Sequence, residues 1–135
     1  MALLAVALVA GLPASSATAS DASVKASFMR GVAEIRGSHD AKRLHRQLGR
    51  TLARIRSDRG STAAGRTGRS LALRGFASTR KGVKAQLDFY ANDSGNIEAA
   101  IRDAKAADRY LNRGARLLRA AGRAFGLRIG RINGR

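Results

Sequence analysis

Apolar residues recur at helical steps over most of this chain. Val24, Phe28, Val32 and Ile35 follow one another at steps of 4, 4 and 3, and Leu44, Leu48, Leu52 and Ile55 repeat the rhythm. Steps of three and four return to one side of a helix, so residues 22–57 are predicted to be helical. The interval from Ile35 to Leu44 turns through about 900° at about 100° per residue, which places the two runs on opposite sides. Gly37-Ser38-His39-Asp40 lies between them and holds residue types that cap helices. A kink or short break is expected at 37–40; the alternative is one unbroken helix with partners on two sides.

Asp58-Arg59-Gly60-Ser61 reads as a helix end, with Gly60 as its left-handed terminator. In residues 62–91 a stripe of Ala72, Phe76, Val83, Leu87 and Tyr90 runs beside Gly68, Gly75 and Gly82, which are spaced by seven. Each interior glycine costs a helix about 1 kcal/mol against alanine. Small residues at heptad spacing nevertheless let two helices approach closely, so a packed helix is predicted in place of a linker. Asn92-Asp93-Ser94-Gly95-Asn96 is a loop built of turn formers, and Asp93 or Asn96 can cap the next helix.

The last stretch has the most regular pattern. Ile97, Ile101, Ala104, Asp108, Leu111, Ala115, Leu118, Gly122, Phe125, Ile129 and Ile132 alternate steps of 4 and 3. That is a heptad seam, interrupted by Asp108 and Gly122. Gly122, Gly126, Gly130 and Gly134 fall every fourth residue, among arginines, in a composition like that of cationic membrane-active segments. Four helical glycines cost about 4 kcal/mol, so the chain is expected to fray from about Gly126.

These patterns give an all-α fold, an antiparallel bundle of three long helices at about 22–57, 62–91 and 96–127, or four helices if the break at 37–40 is complete. One proline and six aromatic residues argue against a β-sandwich or barrel. Residues 20–135 suit a single basic domain. Ahead of it, the apolar run Ala2–Leu12, then Pro13 and the small-x-small triplet Ala17-Thr18-Ala19, read as a signal peptide. The run is too short to span a bilayer, which takes about 20 residues. No Lys or Arg precedes it, which leaves an uncleaved N-terminal anchor as the alternative. The chain has no cysteine, so disulfides contribute nothing to stability.

Charge changes the picture more than composition does. The 135-residue chain carries a formal +17, yet residues 1–20 hold no charged side chain. Residues 41–84 hold 13 basic side chains against Asp58 alone, residues 109–135 hold eight arginines and no acid, and 85–108 lacks that excess, with two basic side chains against five acids. A field of this sign attracts polyanions: anionic cell-wall polymer, an acidic membrane surface or nucleic acid. Two stripes carry it. Arg43, Arg46, Arg50 and Arg54 line one side of the first stretch, and Arg102, Arg109, Arg116 and Arg123 recur every seven residues along the third, flanked by Lys105, Arg113 and Arg119. The second stripe extends about 30 Å. With little aromatic interleaving, binding to nucleic acid would be non-specific. A GC-rich genome and the ordinary solvated face of a bundle account for the same arginines.

Catalytic chemistry has little footing. His39 and His45 are six apart and diverge on a helix, and no cysteine can complete a metal site. Asp40 suits a helix cap, and Asp108, near Lys105, Arg109 and Asn112, suits a local ion pair or a solvated rim. The segment GSTAAGRTGRS at 60–70 lacks the Gly-Lys-Ser/Thr ending and the preceding strand of a phosphate loop. No catalytic residue, metal or cofactor is therefore expected. The expectation is an exported, non-enzymatic basic helical protein that associates with anionic cell-envelope components through arginine faces. The alternatives are a structural or assembly module docking a protein partner, and a histone-like nucleic-acid binder. Nothing in the residues indicates an oligomeric state.

Overall fold

The computed structural model describes residues 16–92 and 95–132, and contains four helices: α1 (Ser16–Gly37), α2 (Ala41–Ser57), α3 (Ala63–Tyr90) and α4 (Ile97–Ala124). The last three start on side-chain caps. Asp40 accepts from the backbone amides of Lys42 (2.9 Å) and Arg43 (3.2 Å), Thr62 from that of Gly65 (3.0 Å) and Asn96 from that of Ala99 (3.0 Å). Each bond satisfies an amide that has no partner within the helix. The expected bundle of three long helices is therefore a bundle of four. Asp40 takes an extended conformation to cap α2, which makes the break at 38–40 complete. The backbone of α1 also begins at Ser16, inside the stretch read as a signal peptide or anchor; residues 1–15 of that stretch lie outside the described residues.

Successive helices run antiparallel. Thr51 of α2 donates to Glu34 of α1 at 2.7 Å while Ser23, near the start of α1, donates to Asp58 at 3.0 Å, beyond the end of α2. The core lies between the layers: Val24, Phe28 and Val32 from α1, Leu48, Leu52 and Ile55 from α2, Ala72, Phe76 and Val83 from α3, Leu118 and Ala121 from α4. The Phe28 ring sits 5.9 Å from Phe76 and 5.2 Å from Phe125, which ties α1 to both members of the α3–α4 hairpin. Removing each such side chain from water contributes about 1.5–3 kcal/mol.

The α3–α4 interface is the most extensive helix pairing and explains the heptad glycines. Gly68, Gly75 and Gly82 on α3 face Phe125, Leu118 and Leu111 on α4, so each glycine receives one large side chain. A Cβ at Gly75 would lie 2.8 Å from two carbons of Leu118, and one at Gly82 would lie 2.7 Å from Leu111. Between these layers the arrangement inverts: Thr79 of α3 occupies the space over Gly114 of α4. Thr79 returns its hydroxyl to the Gly75 carbonyl at 3.0 Å, and Ser78 donates across the interface to the Tyr110 carbonyl at 2.8 Å. The buried polar groups are thus satisfied where the helices are closest.

The expected fraying from Gly126 is overturned for residues 126–132; the last three residues of the chain, 133–135, lie outside the described residues. Gly126 takes a positive φ of 71° and closes α4 with paired bonds, Gly126 N–H to Arg123 O at 3.0 Å and Leu127 N–H to Gly122 O at 2.7 Å. This left-handed cap reverses the chain direction. Ile129 then packs over Gly122, and Ile132 is buried beside α4. Residues 125–132 therefore form a strap on the bundle, because the apolar seam continues past the end of the helix and still finds a surface to cover.

Two polar clasps hold the end of the bundle where α1 begins. Asp21 accepts from the amides of Ser61 (2.6 Å) and Thr62 (3.2 Å) and from the Thr62 hydroxyl, while Ser20 accepts from the Gly60 amide at 3.1 Å. These bonds hold the Asp21 carboxyl below its ordinary pKa, the Thr62 hydroxyl contributing most. Arg69 of α3 donates to the carbonyls of Ile55 (3.1 Å), Arg56 (3.0 Å) and Asp58, closing the end of α2.

Candidate anion-binding faces

The arginine stripe on α4 follows from the geometry of the seam. Residues 102, 109, 116 and 123 lie half a turn from Leu111 and Leu118, so a helix that buries those leucines against α3 turns this stripe outward. Arg102, Arg109, Arg116 and Arg123 are all exposed, as are Lys105, Arg113 and Arg119. None of them forms an ion pair with a carboxylate among the described residues. Lys105 and Arg119 fall between the heptad positions on the same side, so cations succeed one another over about 32 Å of helix. Arg113 stands to the other side of the stripe, where it shares a shallow surface with Arg109, Tyr110, Asn112 and Arg116.

The stripe is uneven along its length. Near its start, Glu98 and Asp108 line the same shallow depression as Ile101, Arg102, Lys105 and Arg109. Asp108, read as a break in the seam, is exposed and forms no ion pair among the described residues. Ile97 and Ile101 are also exposed, at 73% and 49%. The packed seam of this half instead uses Ala104, Ala107 and Leu111; with Gly82 facing Leu111, Tyr90 at the end of α3 is level with Asp103, so Ile97 and Ile101 stand beyond it. Farther along, the acids end and a second wall appears. The strap brings Arg131 and Ile132 beside Asn112, Ala115, Arg116 and Arg119, forming a cleft with three guanidinium groups and no carboxylate.

The α2 stripe is partly committed to the fold. Arg43, Arg46 and Arg50 are exposed, but Arg54 turns toward α1 and lies 3.8 Å from Glu34. Glu34 itself accepts from the buried Thr51 hydroxyl at 2.7 Å, so this carboxylate joins α1 to α2 as well as facing Arg54. The α2 and α4 stripes lie on helices that do not pack on each other. A ligand spanning both would have to pass around the bundle.

The histidines do not converge. His39 is exposed in the α1–α2 turn, and His45 packs on α2 near Arg80, Lys84 and Asp88 of α3. Partial burial, then the Arg80 and Lys84 charges, lower the His45 pKa, with Asp88 opposing them. No group of three or more potential metal ligands occurs among the described residues. Arg131 is not among the cations that the spacing selects, because it lies beyond the expected helix. The signal for it is Ile129 and Ile132, which bracket it on the continuing seam. No family model, curated protein or solved structure matches the chain.

Proposed function

We propose that this is a non-enzymatic, exported basic protein that associates with anionic cell-envelope components through its arginine faces, chiefly the one on α4. The observation that carries this reading is the continuous outward stripe from Arg102 to Arg123, whose cations have no carboxylate ion-pair partner among the described residues. Guanidinium groups form charge-assisted bonds to phosphate and carboxylate, and a row of them displaces counterions from a polyanion. Affinity of that kind falls steeply with salt and carries no base sequence preference. No helix among the described residues is long and apolar enough to cross a membrane. Association with a lipid surface would therefore be peripheral as far as those residues are concerned.

The test is a salt titration of binding to acidic vesicles, to an anionic wall polymer and to duplex DNA. Binding at about 50 mM salt that weakens log-linearly as salt rises is expected. Absence of binding at that salt, or binding that salt leaves unchanged, overturns the proposal. Sequencing the N-terminus of the native protein from an extracytoplasmic fraction tests export, with a start near Ser20 expected. A cytoplasmic protein that compacts DNA would favour the histone-like alternative instead.

A second reading has its own observation. Tyr90, Ile97 and Ile101 expose apolar surface in the part of the chain where acids outnumber cations, which suits docking of a protein partner. Under that reading, replacing Arg102, Arg109, Arg116 and Arg123 together by glutamine leaves function intact.

A further inference from the structure

We propose that the cleft between the second half of α4 and the strap is a discrete phosphate-binding site. The proposal rests on the anion-binding function just proposed and assigns it a location and a ligand chemistry. Asn112, Arg116 and Arg119 rise from one side of α4 at steps of four and three, and Arg131 faces them from the strap. Ala115 and Ile132 form the apolar remainder of the lining. A surface with one helix behind it can present only a row of cations. Here a second element closes on that row, and cations meet from two sides.

Arg131 is held there by its neighbours in sequence. Ile129 packs on Gly122 and Ile132 is 3% exposed, so the backbone at Arg131 is pinned on both sides while its side chain stays outward. None of Arg116, Arg119, Arg131 and Asn112 forms a side-chain hydrogen bond or ion pair among the described residues. Three unneutralised guanidinium groups around one cleft repel one another, and an anion among them relieves that repulsion. A phosphate group suits the donors better than a single carboxylate does. Its oxygens accept from several guanidinium forks at once, and its negative charge, one in a diester and up to two in a monoester or free phosphate, answers the excess of cations. The Asn112 amide adds a neutral donor at the rim. The same phosphate chemistry could come from free phosphate, from a lipid headgroup or from a phosphodiester polymer.

The experiment titrates the full chain with inorganic phosphate at constant ionic strength, using chloride as the control anion. Binding is read by calorimetry and by the NMR shift of the Asn112 side-chain amide. Saturable phosphate binding that shifts Asn112 is expected, weakened about tenfold or more by Arg131→Gln and by Arg119→Gln and less than about twofold by Arg102→Gln, which removes the same charge outside the cleft. Equal losses from all three variants, or no difference between phosphate and chloride, overturn the site. Circular dichroism confirms that each variant keeps its helices; Arg131→Lys, which retains the charge but lacks the planar fork, should recover only part of the affinity. Phosphatidic acid vesicles and a poly(glycerol phosphate) then distinguish the sources, since the one that competes with phosphate at Asn112 occupies the cleft. If both polyanions bind while Asn112 stays unshifted, the site fails and the broader reading stands. If phosphate shifts Asn112 but neither polyanion nor DNA binds, the broader reading fails and the cleft is a small-anion site.

Discussion

The two halves of α4 carry the same heptad pattern and meet different fates. From Ile97 to Asp108 the helix has α3 as its main neighbour, leaves Ile97 and Ile101 exposed, and mixes Glu98, Asp103 and Asp108 with its cations. From Leu111 to Phe125 it packs on α3, on Phe28 of α1 and on the strap, buries Leu118 and Ala121 completely, and carries arginines without a single acid. Apolar periodicity says which residues share a side of a helix. How wide a side is buried depends on the number of neighbours, and here Phe28 of α1 joins α3 and the strap is added last. The same neighbour that completes the core also turns a row of arginines into a cleft.

The sharpest way to break this comparison is truncation on either side of it. Leu118→Ala removes a fully buried side chain wedged over Gly75 and is expected to cost about 2–5 kcal/mol in urea unfolding. Ile97→Ala, at the equivalent heptad position three repeats earlier and exposed, should stay within about 0.5 kcal/mol. Equal costs would mean that the first half has a partner in solution. Next in size is binding. Replacing Arg116 and Arg123 by glutamine should lower the affinity for an acidic polymer about tenfold, against about threefold for Arg102 and Arg109, and each pair should lower the salt slope by about two. Glu98 and Asp108 already offset part of the field around the second pair, so its loss matters less.

A smaller contrast separates an arginine used by the fold from one that is free. Arg54→Gln should cost up to about 1 kcal/mol of stability, since Arg54 faces Glu34 while more than a third of its side chain is exposed, and should leave polymer affinity nearly unchanged. Arg50→Gln should do the reverse. The smallest effects are in pH. His45 lies beside Arg80, Lys84 and Asp88, at the level of the first half of α4, and its pKa is lowered below 6.5 when folded. The folded state then binds protons less readily than the unfolded chain, so this contribution is present above pH 6.5 and is lost as pH falls below it. Asp21, near the other end, is lowered below 3.8, so its clasp holds above that value and is lost as acid protonates it. Hydrogen exchange during acidification should therefore show the His45 end loosening first.

Much of the fold is legible in the residues, for local reasons. Asp40, Gly60 and Asn96 act within a few positions of themselves, so the break, the turn and the start of α4 fall where their chemistry places them. The heptad glycines imply a close partner, and Leu111, Leu118 and Phe125 are that partner. The parts that stay hidden depend on distant contacts. Asp21 is an ordinary helical acid until the Gly60 turn arrives beside it, and Arg69 looks like one more surface cation until it reaches the end of α2. The strap escapes the periodicity because glycines at every fourth residue count as a cost only along one continuing helix. Gly126 instead ends that helix in a single left-handed step, and residues 127–132 are free to dock. The outward stripe on α4 can be drawn from spacing; the contribution of Arg131 cannot.

The meshing of α3 with α4 has a consequence for folding fidelity. A repeat of seven is a ruler with identical marks, and a hairpin shifted by one mark would set Gly75 against Phe125 and Gly82 against Leu118 with the same fit. The shift is resisted by features that do not repeat. The connection from Tyr90 to Ile97 would then have to reach about 20 Å along the axis, close to its full extension, and Thr79, which lies over Gly114, would meet Ala121 instead. The loop thus acts as the gauge that selects one alignment among near-equals. Lengthening it by seven residues should yield a protein that keeps its helix content and populates two alignments, the second with its arginine rows displaced by about 10 Å.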